Sequence, residues 1–150
     1  MRPELIFIDN PTPYAFRVSL LTNRYVMPLA LYLDEEHGLQ WHEWVVVFCL
    51  AIRKGLSAKD ISAATGRPKN TISRAVHKLL RMALITRTSH PEDARIQVLA
   101  LTPKGRRFYV KVLPRLQVVE NSIYSRLNKK EQAQFIKLLN KLHNVGKTTD

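Results

Sequence analysis

SAKDISAATGRPKNTISRAVHKLLRMALITRTSHPEDARIQVLALTPKG, running from Ser57 to Gly105, decides how the rest of the chain is read. Ser57 followed three residues later by Asp60 is a reciprocal capping pattern, so a short helix is predicted over Ala58 to about Ala64. Thr65-Gly66-Arg67-Pro68 is turn chemistry, and Pro68 suits the first or second position of another helix that runs to about Ala83. On that helix Ile72, Ala75, Val76, Leu79 and Leu80 share an inward face, leaving Arg67, Lys69, Asn70, Ser73, Arg74, His77 and Lys78 outward. Ile85–Thr88 and Arg95–Leu101 read as two strands, the second alternating Ile96, Val98 and Ala100 on one face. Ser89–Ala94 is the polar tip between them, with Pro91 keeping it out of strand pairing.

Between Asp60 and Glu92 no acidic side chain occurs, while Arg67, Lys69, Arg74, Lys78, Arg81 and Arg87 all fall inside that interval. Two helices joined by a turn, the second basic and polar on its outer face, fit a helix-turn-helix whose second helix enters the major groove. Arginine and lysine reach guanine or phosphate, asparagine pairs with adenine, and serine and threonine bind phosphate or bases. Arg87 and Arg95 on the hairpin are placed for the minor groove or its flanking phosphates. The competing account of the helix pair is an ordinary solvated face, and the hairpin and the acid-free interval weigh against it.

The 150 residues are enough for one domain, 1–150, and too few for two. A net charge of +12 points to a polyanionic partner, nucleic acid before a membrane surface. The single cysteine, Cys49, excludes an internal disulfide and a multi-cysteine metal site. Asp9, Asn10 and Pro11 break the early apolar run too soon for a signal peptide, and no later run approaches the ~20 residues that span a bilayer, so a cytoplasmic protein is expected.

Outside the decisive stretch the pattern is helical. Leu5–Ile8 is a small apolar arm. Thr12, as N-cap, and Pro13 open a long helix with apolar Phe16, Leu20, Met27 and Leu31, carrying on to about Leu33, with Pro28 a kink and Gly38 the end. Leu39–Ile52 is apolar almost all round, and its length favours helix over strand. Thr102-Pro103 opens another long helix with Phe108, Val112, Leu116, Val119, Ile123 and Leu127 at helical spacing and a bend at Pro114. Asn128 with Glu131 caps a last helix whose inward face is Phe135, Leu138, Leu139 and Leu142. The fold class is mainly α with a small β-hairpin wing.

Gly38-Leu39 through Trp44, Thr71 to Arg74 (T-x-S-R), Asp93 to Arg95 (D-x-R) and Leu101 to Gly105 (L-T-x-x-G), flanked by long helices, together resemble the MarR family of winged helix-turn-helix transcriptional regulators. The match covers about Pro13 to Val145. The resemblance implies a homodimer, with 13–36 and 103–146 as dimerisation helices and 39–102 as the DNA-binding lobe. Two reading helices would then enter successive major grooves of a pseudo-palindromic double-stranded DNA operator, half-sites ~34 Å apart. It further implies that Arg95 enters the minor groove with Asp93 as its neighbour and orienter. The DNA-facing set is thus Ser57, Arg67, Lys69, Asn70, Thr71, Ser73, Arg74, His77, Lys78, Arg87, Asp93 and Arg95. Family members are commonly repressors released by a small effector, often an aromatic acid, held between the dimer helices and the DNA-binding lobe.

Tyr14, Arg17, Arg24, Tyr32, Trp41 and Trp44 form the candidate effector set, because a basic group among aromatics suits an aromatic carboxylate. Against it, arginines on a long helix are commonly solvated or paired, and tryptophans in an apolar run commonly fill a core. Cys49, inside Val45–Leu50, is expected to be a buried structural thiol. His37 and His42 straddle Gly38 and set up no metal-binding pair. No nucleophile–base pair, glycine-rich phosphate loop or metal-ligand cluster occurs at a usable spacing, so neither an enzyme nor a cofactor is expected. The resulting expectation is a sequence-specific repressor released by a small acid, the alternative being an effector-independent architectural DNA binder.

Overall fold

A computed structural model describes residue 7 and residues 10–90, 92–93 and 95–143. The expected N-terminal arm, Phe7 apart, and Pro91 and Ala94 of the hairpin tip lie outside the described residues. Six helices and one hairpin follow in order: α1 (Pro13–His37), α2 (Trp41–Ile52), α3 (Ala58–Thr65), α4 (Lys69–Arg81), β1 (Ile85–Ser89), β2 (Gln97–Leu101), α5 (Pro103–Tyr124) and α6 (Lys129–His143).

Local chemistry explains most of the boundaries. Pro13 occupies the first turn of α1, but Thr12 makes no side-chain cap; its N–H and hydroxyl instead donate to Asn10 Oδ1, at 2.8 and 3.2 Å. The helix passes through Pro28 and reaches His37, where Gly38 takes the left-handed conformation (φ 61°) and donates to the Asp34 carbonyl. At the start of α2 the Gln40 N–H donates to the Glu43 carboxylate at 2.6 Å. Ser57 and Asp60 close the expected reciprocal cap of α3: the Asp60 N–H donates to Ser57 Oγ at 3.2 Å and the Ser57 N–H to Asp60 Oδ2 at 2.8 Å. Pro68 sits one place earlier than expected, as the N-cap of α4, its carbonyl accepting from the N–H groups of Thr71 and Ile72.

β1 and β2 pair antiparallel from Ile85–Leu101 to Ser89–Gln97. The second strand starts two residues later than its sequence suggests, because Asp93 folds the approach into a turn: its side chain accepts the Arg95 N–H and its carbonyl the Ile96 N–H. The inward strand face also differs from the simplest pattern. Ile96, Val98 and Ala100 lie on the outer side, where Ile96 is 44% exposed, while Leu99 is 1% exposed. Leu99 joins the core, and at its edge the Leu56 carbonyl accepts the Leu99 N–H at 2.9 Å, setting a third extended segment beside β2.

One hydrophobic cluster runs from Leu29 and Leu33 of α1 through Trp44 and Val47 of α2 and Ile72 and Leu79 of α4 to Val112 and Leu116 of α5. The α5 N-terminus is pressed onto the hairpin. Thr102 Oγ1 caps it by accepting the Gly105 N–H, and a Cβ on Gly105 would lie 1.9 Å from the Leu84 carbonyl oxygen, so only glycine fits. Asn128 and Glu131 cap α6 reciprocally, as expected. Its inward face does not exist in the single chain, however. Phe135 and Leu139 are half-buried, Leu138 and Leu142 are 51% and 76% exposed, and α6 has no buried residue.

Candidate nucleic-acid interface

The helical period of α4 divides it cleanly. Ile72, Ala75, Val76 and Leu79 are buried against α2 and α3, and Leu80 is half-buried. Lys69, Asn70, Ser73, Arg74 and His77 are exposed on the opposite side. Thr71 is half-buried, as is Arg67 in the preceding turn. That turn is held by Gly66 in the left-handed region and by the Ser62 hydroxyl, which donates to the Arg67 carbonyl at 2.7 Å. The α3–α4 turn thus rests on the Gly66 conformation and on the Ser62 hydroxyl.

Lys78 departs from the outward set. Its ammonium donates to the Gly38 carbonyl at 2.6 Å and to Glu43 Oε2 at 3.0 Å, so it turns along the helix toward the α1–α2 corner. Glu43 has no place in the sequence-level site, since an acid in the first turn of a helix reads simply as a cap; its signal is that it is also 4% exposed. Ser57 likewise has its hydroxyl engaged, donating to Asp60 Oδ2 at 2.7 Å. These hydrogen bonds hold the Asp60 carboxyl below the usual carboxylate range.

On the hairpin, Arg87, Asp93 and Arg95 are all exposed. Asp93 holds Arg95 through the main chain, its Oδ1 accepting the Arg95 N–H at 2.9 Å, so the orienting contact is to the backbone.

The six candidate effector residues are spread over separate contacts. Tyr14 is 86% exposed, and Arg17 donates to the Pro13 carbonyl and lies over the Phe7 ring. Trp41 meets Tyr25 edge to face, and Tyr32 contacts His37. Trp44, 1% exposed, stacks on Tyr109 with ring centroids 5.8 Å apart. The space between α1, α2 and α5 is therefore filled by aromatic side chains. Arg24 borders a cavity of about 380 Å³ with Arg126, Leu21 and Phe135.

A second cavity, of about 290 Å³, escaped the sequence because its residues are far apart in the chain. Leu39, Met82 and Phe108 form its apolar wall, and Lys104, Arg107 and Lys111, on successive turns of α5, ring it with positive charge. His37 also borders it, its pKa lowered by burial and then by Lys111. Cys49 is half-buried rather than buried, with burial pushing its thiol pKa up and Arg67 opposing this. Among the described residues no three His, Cys, Asp or Glu side chains group as a metal site, and no helix is long and apolar enough to cross a membrane.

A helix pair with a capped first helix, a polar second helix and a hairpin on the same lobe is a winged helix-turn-helix. Residues 37–96 match the MarR family model. The HTH-type transcriptional regulator BilQ of Clostridium symbiosum is 31% identical over 116 residues, covering 77% of this chain and 78% of that protein. A MarR/EmrR family transcriptional regulator from Acinetobacter sp. ADP1 superposes with a TM-score of 0.78 at 25% identity, covering 87% of this chain and 92% of its own. BpsR of Bordetella bronchiseptica, whose DNA binding is regulated by 6-hydroxynicotinic acid, shares the fold at a TM-score of 0.74 and 22% identity, over 87% and 92% of the two chains. The chain belongs to the MarR family: it is a transcriptional regulator, not an enzyme.

Proposed function

We propose that this regulator is a homodimeric repressor that reads a pseudo-palindromic operator in double-stranded DNA. The observation that carries the proposal is the exposed polar face of α4, backed by an apolar face whose Ile72, Ala75, Val76 and Leu79 are buried, with the cationic hairpin on the same lobe. Lys69, Asn70, Ser73, Arg74 and His77 are the major-groove readers. Arg67 and Thr71 flank them, Arg87 and Arg95 with Asp93 form the wing contact, and Ser57 acts through the start of α3. Residues 39–102 are the reading lobe, and α1, α5 and α6 are the dimer scaffold, supported by exposed Met27, Leu31, Leu138 and Leu142.

Selection of bound fragments from random DNA tests this. The expected result is a dyad with half-sites one helical turn apart, bound with an affinity that falls ~10³-fold or more over a few-fold rise in salt if six or more phosphates are neutralised. Equal affinity for all sequences would leave only an architectural DNA binder.

Release by a small aromatic acid is the second part of the proposal. It is supported by the regulation of BpsR by 6-hydroxynicotinic acid and by the cationic cavity at Arg107. That cavity is bordered by the end of α1, the α4–β1 connection and α5, so an occupant there bears on how the lobe sits against the scaffold. In a thermal-shift screen of aromatic acids, a ligand at 100 times its Kd adds about 2.7 kcal/mol of stability. Arg107→Ala should abolish that shift; a flat screen of the parent protein removes the effector from the proposal.

A further inference from the structure

We infer that Lys78 is a positioning residue, which registers the reading helix to the dimer scaffold instead of touching DNA. The inference rests on the DNA-reading proposal above and adds a device to it. Lys78 is four residues beyond Arg74 and one beyond His77, both exposed readers, and by sequence alone it belongs with them. Its ammonium instead joins three elements at one point. It comes from the last turn of α4, and it donates to the carbonyl of Gly38, which ends α1, and to Glu43, in the first turn of α2. The same Glu43 oxygen accepts the Gln40 N–H at 2.6 Å, and the Gln40 side chain returns to Asp34 of α1 at 2.9 Å.

Two features separate this pair from an ordinary surface ion pair. The Glu43 side chain is 6% exposed, so its charge is desolvated and depends on its partners. The partners also lie 35 and 40 residues from Lys78 in sequence, so the contact fixes elements to one another and not merely a helix to itself. Two of the three ammonium donors are thereby used, one of them on the residue that closes α1. A rotation of α4 about its own axis, or a slide of α4 along α2, that exceeds the reach of the lysine stem breaks both bonds together. Reading base edges demands that helix position be held closely, whereas phosphate attraction tolerates displacement. Losing the tether should therefore cost sequence discrimination and leave general DNA affinity intact.

Three variants test this: Lys78→Met, Glu43→Gln and the double variant. The double variant removes both charges and so leaves none unpaired in the core, which preserves folding where a single change threatens it. Each is measured against the selected dyad, against dyads with one base pair added or removed between half-sites, and against random DNA, across a salt series. All three should bind the dyad about tenfold or more weakly, within the range of losing one base-pair contact per half-site. Random-DNA affinity and the salt slope should match the parent, the preference for one spacing should flatten, and the double variant should be no worse than the singles.

A direct phosphate role predicts the reverse. Lys78→Met would then lower dyad and random-DNA affinity together and reduce the log–log salt slope by about 1.8 per dimer, at ~0.9 per lost contact, while Glu43→Gln left both unchanged. That outcome, or three variants that discriminate as the parent does, overturns the tether. A parent protein with no preference for any dyad overturns the underlying DNA-reading proposal as well.

Discussion

The reading lobe and the helical scaffold obey the same packing rules with opposite outcomes. Within the lobe, α2, α3, α4 and β2 all send side chains into one core, down to Val47, Ile61, Ile72, Leu79 and Leu99 at 1% exposure or less. In the scaffold, α1 buries only Leu29 and Leu33 of its 25 residues, and α6 buries none. Yet α6 also carries an apolar stripe, through Phe135, Leu138, Leu139 and Leu142. The lobe finds its packing partners in its own chain, whereas the outer helices present a face still to be covered, which is what a scaffold for a second copy requires.

The sharpest way to break that comparison is to damage one apolar face of each kind. Leu79→Ala, in the finished core of the lobe, should cost about 2–5 kcal/mol in a denaturant titration at any protein concentration. Reading is more specific than folding, so the next effect is smaller and confined to DNA. Arg74→Ala should lose ~1–3 kcal/mol at one operator position and relax selectivity there, while Arg95→Ala should weaken binding more evenly across sequences. Competition binding against single-base operator variants separates the two, and equal profiles would displace α4 from the major groove.

Leu142→Glu attacks the unfinished face. The single chain should keep its fold, because this side chain is 76% exposed, but sedimentation should show dimer dissociation at least about tenfold easier, ~1.4 kcal/mol. No change in association would remove the end of α6 from the dimer surface. The smallest effect lies at the cap of the reading motif. The Asp60 pKa is depressed on folding by the Ser57 hydrogen bonds, so its stabilisation is fully present above the usual carboxylate range and lost as pH falls through the depressed value. The stability gap between the parent and Asp60→Asn should therefore be widest at neutral pH and close on acidification; a gap independent of pH would deny the charged cap any role.

The readable parts of the chain were those decided within one turn of helix. Ser57 with Asp60 and Asn128 with Glu131 cap as their spacing demands, and the turn at Gly66 follows from its composition. The strand face of β2 was not readable, because both parities are apolar: Ile96, Val98 and Ala100 on one, Leu99 and Leu101 on the other. Only the helices packed against β2, which take Leu99 into the core, chose between them. The candidate effector residues show the same limit. Arginines and aromatics along α1 and α2 share a composition with a binding site, but close packing turned Trp44 and Tyr109 into a stacked pair and left the cationic cavity to Lys104, Arg107 and Lys111.

By itself, then, the sequence of this protein determined the family, the order of elements and the two faces of α4, since caps, periodicity and charge are written locally and survive any arrangement of the remainder. Tertiary structure alone decided which strand face is inward, where a cavity opens, and that Lys78 turns from the DNA-facing row to a buried acid. Each of these depends on which distant group arrives alongside, and a carboxylate withdrawn from water takes the nearest ammonium whatever face the helical period assigns it.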